Sequence, residues 1–433
     1  MGAVARGEVP AVIVGAGLTG MAAAHFLRAS GVTRRIMERS PVVGGHAVTV
    51  EERGYRFDRT GHLLHLRDRE LEALALRWMG PAHHRITRQS RVWSHGVYTG
   101  YPFQAHVHGL PPEVAYDCLM GFLERRADAP IASFEDYCLA HFGRGISEHF
   151  MLPYNERLWG VPPSELTPAW CDRFVPRPTL AQVVAGAVGH EVEPLGYNAT
   201  FLYPSFGIGQ LSDGLARAVG DVETGREVRR IESAPRRLHL DGEVVAYDRL
   251  VSTMPLPALV AAIDDAPPEV RAAAATLRAT KLWYLDVALR GSVGRPFHWI
   301  YVPERRYPFY RVGAYSSFSP AMTPPGASSL YVELVWREEP DLARLLPEVA
   351  DHLVAMGLIR RREAIVFARA RCLDHAYVVY DQAREAALPV IEAFLRSRRI
   401  LSTGRYGARN YSSMGDALRM GREAAAWVTE ESA

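Results

Sequence analysis

A chain of 433 residues with 48% apolar side chains exceeds what one hydrophobic core serves, so two or three interleaved domains are expected. The net charge of +2, with no basic run interleaved with aromatics, argues against nucleic acid as a partner. Lys281 is the only lysine among 50 basic residues, a skew that reads as codon bias rather than as a phosphate-binding design.

Residues 1–75 read as the start of a doubly wound domain. Val12-Ile13-Val14 predicts a buried parallel strand, and Gly15, Gly17 and Gly20 follow at the spacing that holds a dinucleotide's pyrophosphate. Gly15 permits the tight turn, Gly17 lets the backbone approach the phosphates, and Gly20 lets the next helix, Met21 to Ser30, pack close. A second strand, Arg35 to Glu38, delivers a carboxylate where a ribose hydroxyl would lie. A second glycine turn, Gly44-Gly45-His46, and then Phe57-Asp58-Arg59-Thr60-Gly61-His62 extend the motif.

Further along, Arg91–Trp93 and Val97-Tyr98 predict a hairpin, and residues from Pro111 to about Leu195 are mostly helical, with a capping box at Ser133 to Asp136. Strand signals return at Glu227–Ile231, Leu238–Val245 and Arg249–Thr253. Alternating segments at Trp283–Val287, His298–Val302, Tyr310–Ser316 and Leu330–Trp336 predict an antiparallel sheet. Helices are expected to dominate from Pro340, the last opening on a second capping box, Ser413 to Asp416, and running from Ala417 to Val428. The expected fold is α/β: a Rossmann-like, doubly wound and mostly parallel domain (1–80, 196–255, 376–433), a helical insertion (105–195) and an antiparallel β-sheet substrate domain (81–104, 256–375).

Cys118, Cys138, Cys171 and Cys372 lack metal-ligand spacing and predict reduced thiols. His62/His65, His83-His84 and His106/His108 lack a convincing acidic or cysteine set, so no metal is expected. No stretch reaches about 18 uninterrupted apolar residues, which predicts a cytoplasmic protein with no membrane partner.

Four distant segments each join aromatics to a basic or amide group: Tyr101-Pro102-Phe103-Gln104, Tyr154 to Trp159 leading to Arg173, Trp299 to Tyr301 leading to Arg311, and Arg405 to Tyr411. Aromatic faces suit a base, amides suit its polar edge, and arginine forks with tyrosine hydroxyls suit a diphosphate.

The extension after Glu38 resembles FAD proteins such as amine oxidases and UDP-galactopyranose mutases, and favours FAD over NAD. With the four segments added, the chain resembles the UDP-galactopyranose mutase family over most of its length, most closely the eukaryotic branch. That resemblance implies an FAD-dependent nucleotide-sugar mutase. Reduced FAD attacks the anomeric carbon through N5, and the sugar recloses from pyranose to furanose with no net redox change.

It further implies catalytic roles for His62, Arg173 and Arg311. Substrate contacts fall to Tyr101, Phe103, Gln104, Asn155, Trp159, Arg173, Tyr301, Arg311, Tyr377 and Tyr411. Flavin contacts fall to Gly61, His62, Arg405, Gly415 and Asp416 beside the glycine turns, and NAD(P)H contacts during reductive activation to Arg88 and Ser90. A homo-oligomer stays open. Thr60 stands where the family carries a glycine, and Arg409-Asn410 replaces an aromatic-basic pair, which leaves the sugar and the nucleotide open. The rival reading is a redox flavoenzyme of the amine-oxidase class, in which Lys281 would stand near the flavin.

Overall fold

The computed structural model describes residues 11–192, 195, 199–336 and 338–430. Among them, a five-stranded parallel sheet runs in the order Ile400–Ser402, Leu250–Ser252, Ala11–Val14, Arg34–Glu38, Val222–Thr224. Its faces are covered on both sides, as the run of apolar residues requires. Ile13, Ile36 and Val251 enter one core with the helices Leu18–Ala29, Gly209–Val219 and Met414–Glu430. Val12, Val14, Met37, Leu250 and Ile400 enter the other, beneath Leu256–Ala262 and Gln382–Ser397. This is the doubly wound Rossmann-like layer, assembled from distant parts of the chain.

The second layer is a seven-stranded sheet in the order Ile365–Val378, Ala279–Arg290, Ala327–Leu334, Phe309–Ala314, Trp299–Tyr301, Ser90–Ser94, Val97–Gly100. Its pairings are antiparallel except for Trp299–Tyr301 against Ser90–Ser94, which is parallel. The helices Pro112–Leu123, Phe134–Ile146, Leu152–Trp159 and Leu180–Ala187 pack an aromatic core against the end of this sheet. Both capping boxes form: Ser133 Oγ accepts from Asp136 N, and Ser413 Oγ accepts from Asp416 N.

Three local expectations change. The first helix starts at Leu18, not Met21, because Gly17 is its N-cap. The single strand expected over Leu238–Val245 is a hairpin, Arg237–Leu240 against Glu243–Ala246, turning at Gly242. The run after Pro340 holds the helix Leu342–Ala355 but then a 14-residue edge strand, Ile365–Val378, whose alternation is broken by Arg369, Arg371, Asp374 and His375. An edge strand is paired on one side only and tolerates that polarity. No helix among the described residues is long and apolar enough to cross a membrane.

Candidate active site

The first strand ends in a turn at Gly15, whose φ of +99° is costly for any residue with a Cβ. The two glycine turns meet there: Gly17 bridges Gly44, and Gly44 N donates to Ala16 O at 2.8 Å. A Cβ on Gly45 would come within 3.3 Å of Gly17 Cα, so neither turn puts a side chain between them. The Glu38 carboxylate accepts from Ala16 N and Ser40 N, each at 2.8 Å, which fixes it beside the turn.

From this point a cavity of about 690 Å³ extends under the seven-stranded sheet. Cofactor and small-molecule sites span about 300–1,000 Å³. Of the residues picked out in the sequence, Gly15, Gly17, Glu38, Gly44, Gly45, Gly61, His62, Tyr101, Tyr301, Arg311, Tyr377, Arg405 and Tyr411 line it.

The cavity's middle is shaped by the Thr60 to His62 loop. Thr60 is buried with φ +68°, a left-handed conformation that costs a β-branched residue about 1–3 kcal/mol. At Gly61 a Cβ would stand 2.4 Å from Tyr331 Oη, so only glycine admits that ring. Burial, reinforced by the nearby Arg405 cation, pushes the His62 pKa down to about 4, and its Nδ1 is buried with no protein partner. Arg405 donates to Ala376 O and Ser412 O, pinning the edge strand to the start of the last helix, and its guanidinium lies 5.2 Å from the Tyr411 ring centroid.

At the far wall, Tyr101 stacks on Tyr301 with ring centroids 4.8 Å apart, and the Arg88 guanidinium sits 4.8 Å from the Tyr101 centroid. Arg311 donates to both oxygens of Glu333, at 3.0 and 2.7 Å, and to the Tyr377 hydroxyl at 3.1 Å. Glu333 is 0% exposed, so a fully desolvated carboxylate backs this arginine.

Other expected contacts lie outside the lining. Gly20 serves packing: its Cβ would stand 1.9 Å from Gly15 O. Phe103 and Gln104 are buried in the helical region, Gln104 donating to Pro176 O at 2.7 Å. Asn155 donates to Met151 O within its own helix. Trp159, fully buried, packs on Trp170, Tyr377 and Tyr411 and so supports the wall from behind. Ser90 Oγ is buried in the sheet without a partner. Arg173 is bound to Asp416 at 2.6 Å, while its neighbours Phe174 and Pro176 do line the cavity. Gly415 brings the last helix against His65 O, where a Cβ would fall at 2.3 Å. Lys281 also lies outside, 45% exposed and 3.4 Å from Asp374.

His46, Tyr331, Tyr406 and His375 line the cavity without having been singled out. His46 carries a legible signal, since it directly follows Gly44-Gly45. Glu333 carries a fainter one, a lone carboxylate within Leu330 to Leu334.

The residues fit an adenine dinucleotide carrying a flavin. Two side-chain-free turns face each other at a helix N-terminus, a fixed carboxylate stands at the next strand end, and an orphaned buried imidazole nitrogen waits further in. A family model described as an NAD(P)-binding Rossmann-like domain matches residues 13–77. Pyridine nucleotide-disulfide oxidoreductase domain-containing protein 2 of Mus musculus and of Rattus norvegicus is 45% identical over 60 residues, 14% of this chain and only 10% of those relatives' length.

Across the whole chain the fold is that of the amine-oxidase-like FAD enzymes. Cyclohexylamine oxidase from Brevibacterium oxydans superposes with a TM-score of 0.70 at 16% identity, covering 98% of this chain and 99% of its own. The structure is also similar to reduced UDP-galactopyranose mutase, with a TM-score of 0.92 and 25% identity over 98% of this chain and 94% of that one.

Proposed function

We propose that the chain is an FAD-dependent nucleotide-sugar mutase that contracts a hexopyranose to a furanose without net redox change. The observation that carries this reading is the wall opposite the glycine turns. Tyr101, Tyr301, Tyr331, Tyr377 and Tyr411 line it with Arg311, a surface for a nucleoside diphosphate. The likeness to UDP-galactopyranose mutase over nearly the whole chain supports it.

When bound and reduced, the flavin supplies the nucleophile for the anomeric carbon. The protein's part is to hold and orient. The glycine turns and Glu38 anchor the dinucleotide, and Gly61, His62 and Arg405 shape the flavin's surroundings, with Gly415 and Asp416 at the helix start behind. Tyr101, Tyr301, Tyr377 and Tyr411 hold the nucleotide and sugar, with Phe103, Gln104, Asn155 and Trp159 supporting them from the core. Arg173 and Arg311 steady the charge that grows on the departing diphosphate. NAD(P)H is the proposed reductant, with Arg88, packed on the Tyr101 ring, as its contact; the buried Ser90 hydroxyl would need the sheet to shift.

The cavity lining favours this over an amine-oxidase reaction, because the chain's one lysine is not part of it but 45% exposed and paired with the carboxylate of the lining residue Asp374. The test incubates the FAD-loaded protein, oxidised and dithionite-reduced, with a panel of nucleotide hexopyranoses. A product of unchanged mass that forms only with reduced flavin, with no stoichiometric reductant use, is the expected result. A product two hydrogens lighter, with matching acceptor use, overturns it.

A further inference from the structure

His46 stands immediately after the second glycine turn and lines the cavity, yet neither the sequence motif nor the proposed chemistry gives it a task. Its partners define its protonation. Tyr406 Oη lies 2.8 Å from His46 Nδ1, and the two rings meet edge to face at 5.3 Å. The Arg405 guanidinium lies beside Tyr406, its central carbon 6.0 Å from the ring centroid, and a cation there attracts the hydroxyl oxygen and turns the O–H bond away from itself. The acceptor within reach of that proton is His46 Nδ1.

The hydroxyl thus donates to His46 Nδ1 and leaves the imidazole proton on Nε2. No bond from Nε2 to a protein group is found among the described residues. Charge on the ring is disfavoured as well. Burial holds the pKa of His46 down to about 3, with His62, Arg59, Arg405 and His375 facing it.

We infer that His46 is a cofactor-contacting residue, locked by Tyr406 as the neutral Nε2–H tautomer, which donates a hydrogen bond to an oxygen acceptor of the bound flavin dinucleotide. The inference rests on the FAD reading above. Tyr406 is the positioning residue, acting through the imidazole. A neutral donor here grips the dinucleotide without adding a third cation beside Arg405 and Arg59, which also line this stretch of the cavity. The interaction should therefore be insensitive to pH above about 5, whereas an arginine would add a salt-dependent attraction.

Two measurements test it. Selective ¹⁵N-histidine labelling of the apo protein reads the tautomer directly, the His46 signals being assigned by their loss in His46→Gln. Expected is Nε2–H in the wild type and a tautomer mixture in Tyr406→Phe. Wild type in the Nδ1–H form overturns the inference. FAD titration of the purified variants gives the second readout. His46→Leu should bind FAD about five- to tenfold more weakly, the worth of one neutral hydrogen bond, and His46→Gln, which keeps an N–H donor, should recover most of that loss. FAD affinity equal in all three, or equally reduced in Leu and Gln, overturns it. A wild type that takes up no FAD sinks the flavin reading itself, while the apo tautomer result stands apart.

Discussion

Glu333→Gln keeps the shape of the residue behind Arg311 and removes its charge. The paired atoms lie 2.7 and 3.0 Å apart, which at an effective dielectric near 20 is a gross Coulomb attraction of about 6 kcal/mol before desolvation. Leaving one member of a buried pair uncompensated costs about 3–5 kcal/mol. The Arg311 side chain is 18% exposed to the cavity, so the lower end applies, about 3 kcal/mol. At about 2.1 cal/mol/K per residue, 433 residues unfold with an entropy near 0.9 kcal/mol/K, and Tm should fall by about 3 °C. Urea unfolding of the apo protein measures the free energy, and added UDP should restore part of it by supplying the missing negative charge. The control is the paired replacement Arg311→Met with Glu333→Leu, which removes both charges and should be more stable than Glu333→Gln alone. A Glu333→Gln protein within about 1 kcal/mol of wild type, or a double variant as unstable as the single one, refutes the reasoning.

Burial holds His46 at about 3 and His62, His65 and His298 at about 4, below the ordinary 6.5, so each contributes stability that is complete above pH 6.5 and lost as pH falls toward those values. Asp58 and Asp286, raised by burial to about 6 and about 7, act in the opposite sense: protonation on acidification stabilises the folded form. Four groups against two give a net loss of about 3 kcal/mol between pH 7.5 and 5.5, which urea unfolding at the two values measures; a gain on acidification would contradict it. Gly61→Ala drives a methyl into Tyr331, which Gly313 also confines, and overpacking of this kind costs about 1–3 kcal/mol; calorimetry should show the loss, and Gly61→Ala with Tyr331→Phe should relieve part of it. Arg173→Met should weaken UDP binding at least tenfold in titration calorimetry while moving stability by less than about 1 kcal/mol, so a large stability loss would assign Arg173 to structure.

The nucleotide end was legible because its signal is local. Gly15, Gly17, Glu38, Gly44 and Gly45 act through backbone shape and one carboxylate within a single βαβ unit, and spacing along the chain fixes spacing in the fold. The opposite wall is built from residues hundreds of positions apart, and there residue type outruns what sequence can decide. Tyr301 and Arg311 face the cavity from neighbouring strands, paired in register, whereas Phe103, Asn155 and Trp159, of the same aromatic and amide character, point into the helical core. Nothing in a helix's sequence says which of two buried directions contains a ligand. The edge strand Ile365–Val378 was hidden for a different reason, since its unpaired side carries charge that mimics a solvated helix face.

The two arginines assigned to the diphosphate differ in what they must give up to bind it. Arg173 is 43% exposed, and its partner Asp416 keeps the Ser413 amide and hydroxyl if the guanidinium leaves. Partly exposed pairs are worth about 0–1 kcal/mol, so an entering anion can take Arg173 from Asp416 at small cost. Arg311 cannot leave in this way, because Glu333 would remain buried and alone. Its contribution has to be made in place. Since its guanidinium donates to Tyr377 Oη, the Tyr377 proton is left to point at whatever occupies the cavity. The buried pair thus presents an oriented hydroxyl rather than a net charge, and the attraction that responds to salt falls to Arg173 and Arg405.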